Sequence, residues 1–247
     1  MSLRFFSRST ILVIIALCMH CSLHAQDFRK IFGSDYEDGV ALVDKYSKLF
    51  DATGSRFNIK PSHLKAIVFP ELVRYNTVYD FMEITSLKVL YITNGHDYAN
   101  FSVGYLQMKP SFAEQLEVDA NNYLDKKVLS LLDFDLLQSQ GDSEQQRRWR
   151  VERLSRIEGQ LQYLALFYKI CEAKFQLNTL AEEKRIRFLA ACYNAGYQHS
   201  SKDILKYTSR KMFYTGRFLP SSRYCYSDIS LYWFRSCAAL EEGRVVN

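Results

Sequence analysis

Glycine and proline are sparse in this chain, ten and four residues among 247. So few breakers exclude collagen-like repeats, Gly/Ser linkers and Pro-rich low-complexity tracts. Dense runs of Lys or Arg are also missing, and the net charge is only +5, which leaves no electrostatic footprint for nucleic acid. Neither a CxxC nor a Cys/His spacing of the zinc type occurs, so no metal or other cofactor is expected. Internal repeats are absent too. The long apolar run near the start, Ile11 to Met19, is too short to span a bilayer comfortably.

That run has a reading of its own. Arg4 and Arg8 form a basic n-region, Ile11 to Met19 an apolar h-region, and Leu23-His24-Ala25 ends on a small residue before Gln26. This is the pattern of a cleaved export signal over residues 1–25, which places the mature chain in the periplasm or cell envelope. Without Arg4 and Arg8 the net charge falls from +5 to +3, compatible with an anionic wall polymer and with peripheral association with the envelope. Residues 26–247 suit a single domain with one core. Four cysteines remain, Cys171, Cys192, Cys225 and Cys237. One or two disulfides are open to them in an oxidising compartment, and spacing does not fix the pairing.

Apolar positions recur mostly at helical spacing. Helices are expected over Glu37–Phe50, from Pro61 to Phe69 with a kink or restart at Pro70, over Asp80–Thr93, and from Pro110. A broken helix follows from Asp119 to Leu137, then a polar linker at Gln138–Ser143. A long amphipathic helix spans Glu144–Phe175, and a shorter one Glu182–Cys192. Only the aromatic tail from Tyr207 to Phe234 has strand character. The fold class is mainly α. His63, His96 and His199 read as surface or helix-end residues, and Asp97 as a turn former.

Three segments would be peculiar as plain core: Phe69-Pro70-Glu71, Gly104-Tyr105-Leu106-Gln107-Met108, and Ala191-Cys192-Tyr193-Asn194-Ala195-Gly196. They supply a carboxylic acid, two amides and phenols. A carbohydrate site needs this set, because the acid transfers a proton while neutral groups hydrogen-bond hydroxyls and acetamides. Each also has a plainer reading. Glu71 suits a first helical turn after Pro70, Gln107 could be a satisfied core amide, and Gly196 a helix cap.

In this order the segments resemble the lytic transglycosylase family of the lysozyme-like superfamily. In that family a catalytic Glu ends a core helix, a Gly-Leu-Met-Gln segment follows, and Ala-Ala-Tyr-Asn-Ala-Gly comes later. The resemblance covers roughly Ile59 to Tyr226. It implies a lysozyme-like helical domain with extra N- and C-terminal helices, acting on peptidoglycan glycan strands. Glu71 would be the single acid/base, protonating the MurNAc–GlcNAc oxygen and then accepting the C6 hydroxyl proton as a 1,6-anhydro ring closes. Tyr105, Gln107, Met108, Tyr193 and Asn194 would hold the sugars. Tyr226, preferred to Tyr224, would hydrogen-bond the acid or an acetamide. Gly104 would let backbone approach the sugar. Three departures stand out: Leu72 replaces the serine usual after the Glu, the gap from Glu71 to Gly104 is long, and no Glu-Thr pair precedes Tyr226. A hydrolase on the same bond, or a non-catalytic glycan-binding protein, remains open.

Overall fold

The computed structural model describes residues 26–75, 77–136, 141–214 and 222–245, with side chains throughout except at 77–84 and 238–245. The expected export signal lies outside the described residues, as do residues 138–140 of the polar linker. The chain is mainly helical. Its helices are α1 Phe28–Phe32, α2 Ser34–Lys45, α3 Ser47–Phe57, α4 Pro61–Arg74, α5 Thr77–Asn94 and α6 Pro110–Tyr123. They continue with α7 Lys126–Leu129, α8 Glu144–Leu154, α9 Ile157–Phe175, α10 Glu182–Ala195, α11 Ser201–Tyr207 and α12 Tyr226–Val245. The strand character expected in the tail is a short antiparallel ribbon, β1 Lys211–Phe213 against β2 Tyr224–Cys225.

Two helices are apolar almost all round, and such helices belong in the middle of a fold. In α4 the buried residues include His63, Leu64 and every position from Ala66 to Val73. In α9 nearly every residue from Ile157 to Cys171 is buried. Around α4 pack α2, α3, α10 and α12, while α9 is covered by α3, α6 and α8. Pro61 opens α4 at its first turn, where a missing N–H costs nothing. Of the kink or restart expected at Pro70, the restart does not occur; α4 runs through it to Arg74. Packing on all sides outweighs the lost hydrogen bond.

Two expected single helices are broken. The stripe from Glu37 to Phe50 divides at Tyr46 (φ −103°, ψ 11°). The long helix from Glu144 divides at Ser155–Arg156, where Arg156 is extended. Gly159 marks the second break: a Cβ there would stand 2.3 Å from the Arg153 carbonyl oxygen. His63, expected at the surface or at a helix end, lies in the first turn of α4 and is 2 % exposed. Its ring bridges the Tyr168 hydroxyl (2.9 Å) and the Glu182 carboxylate (2.8 Å), and those partners make its burial affordable. The four cysteines among the described residues, Cys171, Cys192, Cys225 and Cys237, are free thiols.

A buried ionic network joins α6, α8 and α9. Glu117, fully buried, accepts from Arg150 at 2.6 Å and Arg153 at 3.2 Å and also from the Tyr163 hydroxyl. Arg150 further donates to the Tyr91 hydroxyl at 2.7 Å, tying in α5. Removing one partner of such a set strands the others away from water. Glu117→Ala should therefore destabilise the fold by about 3–5 kcal/mol, read as a lower urea midpoint; a midpoint within error of wild type would show that the arginines find water instead.

Candidate active site

Glu71 lies in the last turn of α4, the fold's most enclosed helix, and is 6 % exposed. Burial raises its carboxyl above the ordinary range, while the Arg74 and Lys109 charges pull it down. Arg74, one turn on, donates to the carboxylate at 2.6 Å. Its guanidinium also sits 5.0 Å over the Phe213 ring of the ribbon. Arg74 escaped the sequence reading, although its i, i+3 spacing from Glu71 was the available signal. The ring of the flanking Phe69 packs against Tyr36 and Trp233.

Tyr193 and Tyr226 both lie close enough to feel the Glu71 charge, and burial with that charge raises both phenols. Their rings are 6.5 Å apart. Each hydroxyl is already engaged with backbone. Tyr193 donates to the Leu106 carbonyl at 2.6 Å, and Tyr226 donates to the Ile67 carbonyl at 3.1 Å. Ile67 is one turn before Glu71, beside the gap that Pro70 leaves in the helix ladder. The two phenols thus anchor the acid's helix and the 103–108 loop, and offer a ligand their oxygen lone pairs rather than their protons.

That loop is a tight turn. Val103 and Met108 pair across it, and Gly104 (φ 66°) and Gln107 (φ 52°) both adopt positive φ. The Gln107 amide nitrogen donates back to the Gly104 carbonyl at 2.9 Å. Gln107 therefore builds its own turn and leaves Oε1 without a protein donor among the described residues. Gly104 was expected to make room for a sugar. Its neighbour is instead the Gln160 amide, whose nitrogen would lie 1.9 Å from a Cβ. Gln160, 1 % exposed, donates to the Val103 and Leu154 carbonyls at 2.8 and 2.6 Å and accepts from Leu106 N at 3.0 Å. It clamps the loop to the α8–α9 break. Met108, expected at the sugar, is 1 % exposed and packs in the core instead.

Tyr105 is half-buried at the loop's outer side, 4.7 Å from the Tyr75 ring and 5.0 Å from Tyr46. Tyr46 and Tyr75 were not singled out from sequence. Asn194 follows Tyr193 in the last turn of α10 and is exposed. Gly196 (φ 99°) closes α10 as a cap. The structure thus unites Glu71, Arg74, Tyr193 and Tyr226, with Gln107 on the loop that Tyr193 holds. Met108 is buried in the core, and Asn194 is exposed beside Tyr193. No family model matches this chain, and neither does any curated protein or solved structure.

Two outcomes test this geometry. Gln160→Leu leaves the Leu154 carbonyl and the Leu106 N–H buried without partners, the Val103 carbonyl keeping its bond from Met108 N, and should cost on the order of 3 kcal/mol in chemical denaturation. A loss below 1 kcal/mol would mean that water replaces the clamp. For Glu71 the folded pKa lies above the unfolded one, so its share of stability is full at low pH and is lost as pH rises through the folded value. The thermal midpoint of Glu71→Gln should gain on wild type from pH 4 to pH 8; a constant difference would mean the carboxyl is not shifted.

Proposed function

We propose that this chain is an exported peptidoglycan lytic transglycosylase that cleaves the MurNAc–GlcNAc bond, with Glu71 as its acid and base. The observation that carries this reading is the Glu71 carboxyl itself. It is nearly buried, raised by desolvation, and grouped with two phenols from distant parts of the chain. An acid of raised pKa keeps its proton to higher pH than a free carboxyl does and can deliver it to a glycosidic oxygen. It then becomes the base that takes the C6 hydroxyl proton while that oxygen closes the 1,6-anhydro ring, so no second carboxylate is needed. The Gln107 carbonyl oxygen and the rings of Tyr105 and Tyr75 would hold the sugars, the first by hydrogen bonds, the others by stacking.

A second reading is a glycan-binding protein without turnover. It is favoured by Arg74, whose 2.6 Å contact stabilises the ionised carboxylate, and by Leu72, which puts a core side chain where the family carries a hydroxyl.

Purified sacculi separate these. Wild type should release muropeptides with anhydro ends, and Glu71→Gln should lower release by at least about a thousandfold, within the range spanned by acid–base and covalent roles. Reducing ends would make the enzyme a hydrolase. Equal release by the variant would remove Glu71 from the chemistry, and binding without release by wild type would establish the second reading.

A further inference from the structure

Helices α9 and α10 pack through one ordered stripe. Phe167, Cys171 and Phe175 recur at i, i+4 and i+8 of α9, so they share a face. Phe188 and Cys192 stand at i and i+4 of α10, and Tyr197 follows just beyond its cap. At one end of the stripe Phe175 meets Phe188, with ring centroids 5.1 Å apart. At the other end Phe167 meets Tyr193 at 5.4 Å and Tyr197 at 5.9 Å. The late residue of α9 thus faces the early residue of α10 and the early one the late, so the two helices run antiparallel. Cys171 lies midway along its face and Cys192 midway along the other, and the two fall opposite each other. Their thiols are joined by a hydrogen bond, and both residues are fully buried.

A single buried cysteine is ordinarily a small hydrophobe. Two that face each other in register, side chains pointing together, meet the first geometric requirement of a covalent bridge. Cys225 and Cys237 do not make a second such pair. Cys225, on β2, donates its thiol to the Thr208 carbonyl at 3.1 Å. Cys237 stands three turns along α12, which begins at the residue after Cys225. The helix rises about 16 Å over that stretch, well beyond the roughly 6 Å between the Cα atoms of a disulfide.

We propose that Cys171 and Cys192 close as a disulfide while the chain folds, stapling α9 to α10 beside Tyr193. The inference rests on the export reading for its oxidising compartment, and not on chemistry at Glu71. The oxidant is a second disulfide, on a protein or a small molecule. One cysteine thiolate attacks a sulfur of that oxidant, expels its first thiolate and leaves a mixed disulfide; the other cysteine then attacks the mixed bond and expels the second. Two electrons pass from the cysteines to the oxidant, and the two protons that the cysteines release end on its two sulfurs. The step belongs to folding, because burial pushes the Cys171 thiol well above its ordinary range and leaves no thiolate once the helices have closed. Thereafter the same enclosure keeps reductants out. Cys192 directly precedes Tyr193, which donates to the Leu106 carbonyl, so the bond fixes the turn of α10 from which the 103–108 loop is held.

The full chain, produced in cells with residues 1–25 in place, is denatured, alkylated without reductant and digested for mass spectrometry. Cys171 and Cys192 should appear in one linked peptide pair, two hydrogens lighter than its parts, with Cys225 and Cys237 alkylated. In parallel the purified chain is reduced in denaturant and refolded with glutathione disulfide, where pairing does not depend on export. Refolded in this way it should melt about 10 °C above the same chain refolded with a reducing agent, the gain expected from closing a loop of about twenty residues. Cys192→Ala should melt alike under both conditions. Alkylation of Cys171 or Cys192 after oxidative refolding, or a link from either to Cys225 or Cys237, overturns the pair. Equal wild-type midpoints, or a Cys192→Ala midpoint that drops with reductant as far as wild type does, overturn the staple as well. Linkage on refolding with free thiols in the cell-made chain supports the pair and sinks the export reading alone. None of these outcomes depends on sacculus lysis.

Discussion

A carboxyl placed in the last turn of a helix that is covered on every side creates the tension around which this molecule is arranged. Taking a carboxylate out of water costs several kcal/mol even after relaxation. The nearest cation, Arg74, is about one-third exposed at its side chain, and a partner so wetted returns only a fraction of that cost. Burial therefore wins, and the carboxyl of Glu71 stays above its ordinary range. The same burial acts on Tyr193 and Tyr226, but there it keeps the groups neutral, the state in which they donate to backbone carbonyls. One constraint thus sets the protonation of all three side chains.

Rigidity follows from the same enclosure. Pro70 interrupts the ladder of α4, and the Tyr226 hydroxyl supports the Ile67 carbonyl just beside that gap. The 103–108 turn is held from inside the core by the Gln160 amide, which makes two hydrogen bonds to it and a third to the Leu154 carbonyl. Tyr193 then links the turn to α10. Four separate stretches of chain are fixed relative to the acid by single polar side chains, each anchored on a buried helix. Buried polar groups of this kind are costly unless fully partnered, and that requirement makes their geometry specific.

How much of this was legible in the sequence depends on range. Helical periodicity identified the mainly α class, and Gly196 as a cap was readable because Gly is the residue that takes φ 99° without strain. The breaks at Tyr46 and Arg156 were not, since neither residue is a breaker and the causes lie elsewhere: Tyr46 turns to meet Tyr105, and the Leu154 carbonyl turns to meet Gln160. An uncharged amide in an apolar run drew attention to Gln107. The identical signal at Gln160, within Ile157–Ile170, marked the residue that organises the loop. Periodicity cannot say which of two amides is buried; only the partners can. His63 was readable as a helix-end residue but not as a buried one, because the partners that enclose it, Tyr168 and Glu182, lie far along the chain.

Arg74 and Leu72 bear on how an acid here could work. Leu72 is 2 % exposed, and successive helical positions face directions about 100° apart, so the position after the acid belongs to the core and carries no hydroxyl to steady it. The steadying falls to Arg74, one turn further. A group that must give a proton and take one back is most effective when its pKa lies near ambient pH. Desolvation alone drives a carboxyl past that point, and a close guanidinium alone holds it far below. Arg74, partly solvated and resting also on Phe213, pulls against burial without cancelling it. The Glu71 carboxyl is thus held between opposing influences, raised by burial and drawn back by Arg74.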